Sequence, residues 1–248
     1  MSIIGVIPSR WGSTRFPGKS LAPLCGKPLV KWVVEACLRA KTLDAVVVAT
    51  DEPRIAKAVA GTGARVAMTR PDHPSGTDRV AEAAKAADGD IVVNIQGDEP
   101  LIDPGLIDAV AAKLKGDDRW QMATACAPIL TMADLMAPTI VKVVLDAEDG
   151  ALYFSRLPIP CRRDGAPDLA SGLYQRHIGI YGYRGAFLKR LVAEPPCALE
   201  KAESLEQLRA MWLGGRIGVV RTRELGIGVD RPEDVPVVEA LIRERGLA

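Results

Sequence analysis

The sequence predicts an α/β fold: a mostly parallel, Rossmann-like sheet flanked by helices. Two patterns carry this reading. Short runs rich in Val and Ile at residues 3–7, 45–49, 65–68 and 91–95 read as strands buried on both faces. Helical patterns near residues 28–40, 53–60 and 78–87 separate them, and such strand–helix–strand steps give parallel neighbours joined by right-handed crossovers. A length of 248 residues, 48% of them apolar, is ample for one large core or for an α/β domain with an inserted lobe.

Taken in order, the first strand runs into a loop, and Pro28 suits the first turn of the helix that follows. Gly61 and Gly63 punctuate the end of the second helix. A further helix is expected from Pro104 to about Lys115. Beyond residue 120 the character changes. Residues 121–127, 140–146 and 152–154 look like sheet strands, with breaks at Pro128, Pro138, Pro158 and Pro160. Residues 162–171 are polar, contain Gly and Pro, and read as a mobile loop. A strand is expected at 177–183 and a helix at 185–193. Leu205, Leu208 and Trp212 have helical spacing within 203–213. A strand at 216–221 and a last helix at about 232–245 complete the chain.

Composition excludes several classes. A formal net charge of +1 gives no reason to expect nucleic acid or an anionic membrane as partner. The five cysteines are scattered and form no C-x-x-C pair, which suits a reduced, cytoplasmic protein. No signal peptide is evident, and no apolar run approaches the ~20 residues of a membrane-spanning helix.

The first loop, Ile7-Pro8-Ser9-Arg10-Trp11-Gly12-Ser13-Thr14-Arg15-Phe16-Pro17-Gly18-Lys19, follows a strand and carries three spaced cations. Arg10, Arg15 and Lys19 suit a polyphosphate. The same residues also suit an exposed basic loop. It is not a P-loop: Ser13 stands where that motif needs its first glycine, and prolines interrupt the segment that should be a helix. Phosphates would be held mainly by side chains. A Rossmann dinucleotide site is excluded as well, because Gly61-Thr62-Gly63 follows a helix and Gly226-Ile227-Gly228 does not open one.

Asp98, in Gln96-Gly97-Asp98-Glu99-Pro100, lies just past a central strand, where a carboxylate can hold Mg²⁺ against phosphates. Asp98 and Glu99 could equally cap the Pro100 turn. Asp230, after Gly226-Ile227-Gly228-Val229, is a second isolated carboxylate or an N-cap of the Pro232 helix. Residues 69–79 are dense in hydrogen-bonding groups and could read a base or ribose, or cap a helix through Ser75 or Thr77. With only His73 and His177, no H-E-x-x-H and no G-x-S-x-G, the sequence offers neither a zinc motif nor a serine nucleophile elbow. Phosphoryl or nucleotidyl chemistry, which rests on positioning and charge neutralisation, is what remains.

Eight motifs in order resemble the 3-deoxy-manno-octulosonate (Kdo) cytidylyltransferase family. They are the first loop, His73-Pro74-Ser75-Gly76-Thr77-Asp78-Arg79, Val93–Pro100, Val141-Lys142-Val143-Val144, Ala151–Arg156, His177–Arg184, Leu205-Glu206-Gln207-Leu208-Arg209 and Gly228-Val229-Asp230. The resemblance implies a fold of the nucleotide-diphospho-sugar transferase type, with a smaller mixed-sheet lobe for sugar binding and dimerisation. One domain would span residues 1–248, with nucleotide binding in about 1–120 and sugar and dimer contacts in about 121–230. The C-terminal helix would pack back.

The implied reaction is CTP plus Kdo giving CMP-Kdo and pyrophosphate, with Mg²⁺, by a cytoplasmic homodimer serving lipopolysaccharide biosynthesis. The resemblance assigns Arg10, Lys19, Asp98 and Asp230 to catalysis. Arg10, Arg15 and Lys19 bind the triphosphate, Ser9, Ser75, Gly76 and Arg79 lie near the nucleotide, and Asp98 and Asp230 hold the metal. Gln96, Arg156, His177, Tyr181, Glu206 and Gln207 line the sugar site. Such a pocket suits a substrate with one carboxylate and many hydroxyls. A related acidic sugar, such as an amino-Kdo analogue or a sialic acid, and a nucleotide-binding regulator without chemistry are the competing readings.

Overall fold

The computed structural model describes residues 1–12, 15–87 and 89–247. Ser13 and Thr14 of the first loop lie outside the described residues. In chain order the strands are β1 (Ile3–Pro8), β2 (Pro23–Leu24), β3 (Lys27–Pro28), β4 (Ala45–Thr50), β5 (Arg65–Met68), β6 (Ile91–Asn94), β7 (Met122–Pro128), β8 (Lys142–Leu145), β9 (Ala151–Ser155), β10 (Gln175–Arg184) and β11 (Ile217–Arg221). The helices are α1 (Leu29–Leu38), α2 (Pro53–Val59), α3 (Gly76–Ala87), α4 (Pro104–Gly116), α5 (Met132–Met136), α6 (Gly185–Ala193), α7 (Ala198–Glu203), α8 (Gln207–Trp212) and α9 (Asp234–Glu244).

Among the described residues the main sheet runs β11-β7-β10-β6-β1-β4-β5, with β8 and β9 extending from β10. The pairs β6–β1, β1–β4 and β4–β5 are parallel, as is β7–β11. β10 alone runs against its neighbours β6 and β7, and it also carries the antiparallel β8–β9 pair. Two apolar layers cover the sheet. One packs Val33, Ile107 and Val110 on Ile7, Val48 and Ile95; the other packs Val80, Phe187 and Leu208 on Val6, Val92 and Met122.

The chain places β4 and β5 on one side of β1 and then returns to lay β6 on the other. That reversal leaves a crevice beyond the carboxyl ends of β1 and β6, where open α/β sheets take ligands. α9 packs back on the first half of the chain, where the Cys25 amide donates to Glu239 Oε1 at 2.7 Å.

Several expectations need correction. The pattern at 203–213 is not one helix. Ser204 turns left-handed (φ 53°), ending α7, and α8 starts afresh at Gln207. Leu205 therefore sits in the connection, and Trp212 is 61% exposed. The short β2–β3 ribbon and α5 were not anticipated. Residues 162–171 form an irregular segment closed by a turn of 3₁₀ helix at Leu169–Ser171, where the Asp168 carboxylate accepts from the Ala170 amide.

Candidate active site

Three loops leave the carboxyl ends of β1, β5 and β6 and converge. Gly97 makes the convergence possible: a Cβ there would lie 2.6 Å from the Pro8 carbonyl and 2.8 Å from Ser9 Oγ. Without it, the Asp98 turn could not close on the first loop. Ser9 is buried, and its hydroxyl has no partner among the described residues.

The first loop is set by Trp11 and Gly18. Gly18 adopts φ +69°, its amide donates to the Trp11 carbonyl at 3.1 Å, and a Cβ on it would meet the indole at 2.7 Å. The Arg54 guanidinium stacks on that ring, 3.7 Å from its centre. Glu52 grips Arg54 through two bonds of 2.8 and 2.9 Å. This stack fixes the backbone that launches Lys19.

Lys19 Nζ lies 2.6 Å from Asp98 Oδ2 and 3.6 Å from Asp230 Oδ1, and Arg15 reaches Asp230 Oδ2 at 3.2 Å. The capping alternatives for the two carboxylates are thereby resolved. Asp98 turns to Lys19, not to the Pro100 turn. Asp234, not Asp230, accepts the Asp230 and Arg231 amides, at 2.8 Å each. The Val229 amide donates to the Asp98 carbonyl at 2.9 Å, which holds the two acidic segments together. Beside them burial, aided by the Asp98 charge, pushes the Glu99 carboxyl up to about 7.

Ser75 does cap α3: the Asp78 amide donates to its Oγ at 3.3 Å. Thr77 instead donates to Glu206 Oε2 at 2.6 Å, bridging α3 to the segment before α8. Arg79 is 3% exposed and pairs with Thr69 and Asp51.

Together these loops enclose a cleft of about 390 Å³. It is lined by every residue assigned to the nucleotide: Ser9, Arg10, Arg15, Lys19, Ser75, Gly76, Arg79 and Asp98, with Asp230 beside them. A second cavity of about 280 Å³ adjoins it and shares Pro8, Gly76, Gln96 and Glu206. Its own walls include Tyr181 and Gln207, whose hydroxyl and amide oxygen are 3.5 Å apart. The first cleft carries Arg10, Arg15, Lys19 and Arg79 against the carboxylates of Asp98, Asp230 and Glu206; the second is polar, with Glu206 as its one charged side chain among the described residues. The first suits phosphates and the second a hydroxyl-rich molecule.

Four of the six residues assigned to the sugar, Gln96, Tyr181, Glu206 and Gln207, therefore line the second cavity. The structure does not bring Arg156 and His177 to its wall. The Arg156 guanidinium donates to the carbonyls of Glu203 (2.7 Å), Pro138 (3.1 Å) and Ser204 (3.3 Å), tying β9 to the end of α7. His177 lies behind Tyr181, ring centres 5.4 Å apart, with Phe154 packed edge-on against it. Burial pushes its imidazole down to about 3, so the ring is neutral.

Sequence reasoning missed His73, which lines the first cleft and bonds Glu82, and Thr77, Asn94 and Tyr183 in the second. Signals existed for two of them. Asn94 is polar at the end of an apolar strand, and Tyr183 follows Tyr181 at strand period. Asn94 Oδ1 and Gln207 Nε2 are buried with no partner among the described residues, a cost that a polar ligand relieves.

The comparisons agree with this fold. A family model described as "Cytidylyltransferase" matches residues 4–217. The chain is 51% identical over 245 residues to a 3-deoxy-manno-octulosonate cytidylyltransferase of Geobacter sulfurreducens, covering 96% of this chain and 98% of the relative. It is 47% identical to the enzyme of that name from Bdellovibrio bacteriovorus, with both chains covered in full. Among solved structures, a CMP:2-keto-3-deoxy-manno-octonic acid synthetase complexed with CTP superposes with a TM-score of 0.93 at 40% identity, covering 99% of this chain and 100% of the other. A 4-diphosphocytidyl-2C-methyl-D-erythritol synthase from Anaerococcus prevotii shares the fold at 12% identity, with a TM-score of 0.66 and 98% of each chain covered. The chain belongs to the 3-deoxy-manno-octulosonate cytidylyltransferase family.

Proposed function

We propose that this chain transfers the cytidylyl group of CTP to the anomeric hydroxyl of 3-deoxy-D-manno-octulosonate, releasing pyrophosphate. The observation that carries the proposal is the two-part cleft. Its cationic half joins its polar half, which holds no cation among the described residues, at Gln96 and Glu206, so a triphosphate in one would meet a sugar in the other. Arg10, Arg15 and Lys19 neutralise the phosphates and the charge that grows on the departing pyrophosphate. The sugar hydroxyl attacks phosphorus in line, and alignment across the shared wall takes the place of a covalent nucleophile.

Mg²⁺ fits this reading. The described residues hold no cluster of three or more metal-ligating side chains, but Mg²⁺ needs only one or two carboxylates beside phosphate oxygens and water. Asp98 and Asp230, drawn to a single ammonium, would hold it, and it would supply charge neutralisation at the phosphates.

We also propose a cytoplasmic homodimer serving lipopolysaccharide biosynthesis. No helix among the described residues is long and apolar enough to cross a membrane. An open apolar groove of about 450 Å³, with Ala127, Pro128, Leu130 and Leu225 in its wall, supports self-association. Leu130 is 76% exposed in the single chain. Light scattering checks the dimer, and Leu130→Asp should give a monomer.

Mass spectrometry of a reaction holding CTP, Mg²⁺ and Kdo should find the CMP-sugar adduct. Its absence, or equal yields from Kdo and a neutral sugar of the same size, would contradict the proposal.

A further inference from the structure

The antiparallel pairing of β10 with β7 skips. Ile178 faces Ala125 and Gly182 faces Ala123, so Gly179, Ile180 and Tyr181 together oppose the single residue Thr124. Surplus residues of this kind form a bulge, which re-aims the side chains it carries. Thr124 is fully buried and lines neither cavity. Its hydroxyl lies 2.7 Å from the Ile180 carbonyl, 3.2 Å from the Ile178 carbonyl and 2.9 Å from His177 Nε2. On the cavity side, Gln96 Nε2 donates to the Gly179 carbonyl at 3.0 Å. The bulge is thus held from within the sheet by Thr124 and from the cleft by Gln96.

A hydroxyl has one proton to give, and carbonyl oxygens can only accept. The Thr124 proton goes to the bulge, so the contact with His177 forms when Nε2 carries the imidazole proton and donates. Nδ1 is then left as the acceptor. Burial keeps the ring neutral, so this choice is between two tautomers. The Tyr181 ring, packed on that imidazole, follows its orientation.

We propose that Thr124 is a positioning residue: its hydroxyl holds the β10 bulge and the Nε2–H tautomer of His177, and through both it sets Tyr181 in the wall of the sugar cavity. Thr124 touches no substrate. The inference rests on the functional reading above for the identity of the sugar, but its structural half stands apart from it.

The test has two arms. The first is long-range ¹H–¹⁵N NMR on the imidazoles of the intact protein near neutral pH. The chain has two histidines, so His73→Gln assigns the signals. His177 is expected to show a protonated Nε2 and a bare Nδ1; a protonated Nδ1 would overturn the proposal. The second arm compares Thr124→Val, which keeps the shape and loses the hydroxyl, with Thr124→Ser, which keeps the hydroxyl. Valine strands a buried donor and two carbonyls, so KM for Kdo should rise about tenfold while KM for CTP stays within about twofold. Serine should restore the parent KM for Kdo. An unchanged KM for Kdo in the valine variant, or equal losses for both substrates, refutes the role. If the valine variant does not fold, the tautomer seen in the parent decides alone. A parent protein that makes no CMP-sugar sinks the functional reading, and the NMR arm still judges Thr124.

Discussion

The Lys19 ammonium sits 2.6 Å from the Asp98 carboxylate, though 79 residues separate them in the chain. One lies at the end of the loop that leaves β1, the other just past β6, and the parallel pairing of those strands brings them together. Cation and carboxylate complete each other until a triphosphate enters. Under the proposed function the ammonium would then have phosphate oxygens to bind, and the carboxylate would be free for a metal.

Lys19→Ala should lower kcat/KM for CTP by about a hundredfold, the scale of losing one charge-stabilising group at a reacting phosphate. Thermal stability should change little, because the side chain faces the cleft and not the core. Steady-state kinetics with a melting curve checks both. Lost stability with unchanged kcat/KM would make Lys19 only a structural counter-ion.

Gly18→Ala should damage the same step from a distance. A Cβ at φ +69° is strained and would lie 2.7 Å from the Trp11 ring. The Trp11–Arg54 stack must open, and Lys19 moves with it. A drop in kcat/KM for CTP of tenfold or more, with a shifted tryptophan emission, is expected. Parent-like kinetics would show that the stack does not position the loop.

The pH dependence of stability should carry a signature of His177. Its native pKa, about 3, lies below the ordinary value of 6.5. Between those values the unfolded chain binds more protons, so stability is fully present above about pH 6.5 and is lost as pH falls toward 3. For a half-buried ring the loss between pH 8 and pH 5 should be no more than about 2 kcal/mol. Urea unfolding of His177→Gln should show a smaller fall over that range than the parent. Equal falls would mean that the imidazole is not held neutral.

Arg156→Lys should cost stability even without substrate. Lysine keeps the charge but cannot reach the carbonyls of Glu203, Pro138 and Ser204 at once. A loss of about 1–3 kcal/mol in urea unfolding is expected. Those bonds engage three of the five guanidinium N–H groups, and Arg156 stands outside the cavity wall. Unchanged stability would show that the carbonyl contacts contribute nothing.

The sequence carried the parallel half of the sheet and most of the residues that line the first cleft, His73 excepted. Those residues cluster in short loops directly after apolar strands, where pattern and position agree. The sugar side was less legible because its form depends on long-range pairing. The bulge facing Thr124 exists only as a mismatch between β10 and β7. Arg156 is directed by carbonyls of residues 138, 203 and 204, and no local signal announces them. Ser204 broke an apparently continuous helical pattern because its left-handed turn overrides the spacing of Leu205, Leu208 and Trp212.

The most direct test is pyrophosphate release by the parent protein and by Asp98→Asn, each with CTP, Mg²⁺ and Kdo, and with each component left out. Release should require all three in the parent. It should fall about a hundredfold or more in kcat for Asp98→Asn, with the fold intact by circular dichroism. Release that proceeds equally without Kdo, or an Asp98→Asn enzyme with parent turnover and parent Mg²⁺ dependence, would contradict cytidylyl transfer across this cleft.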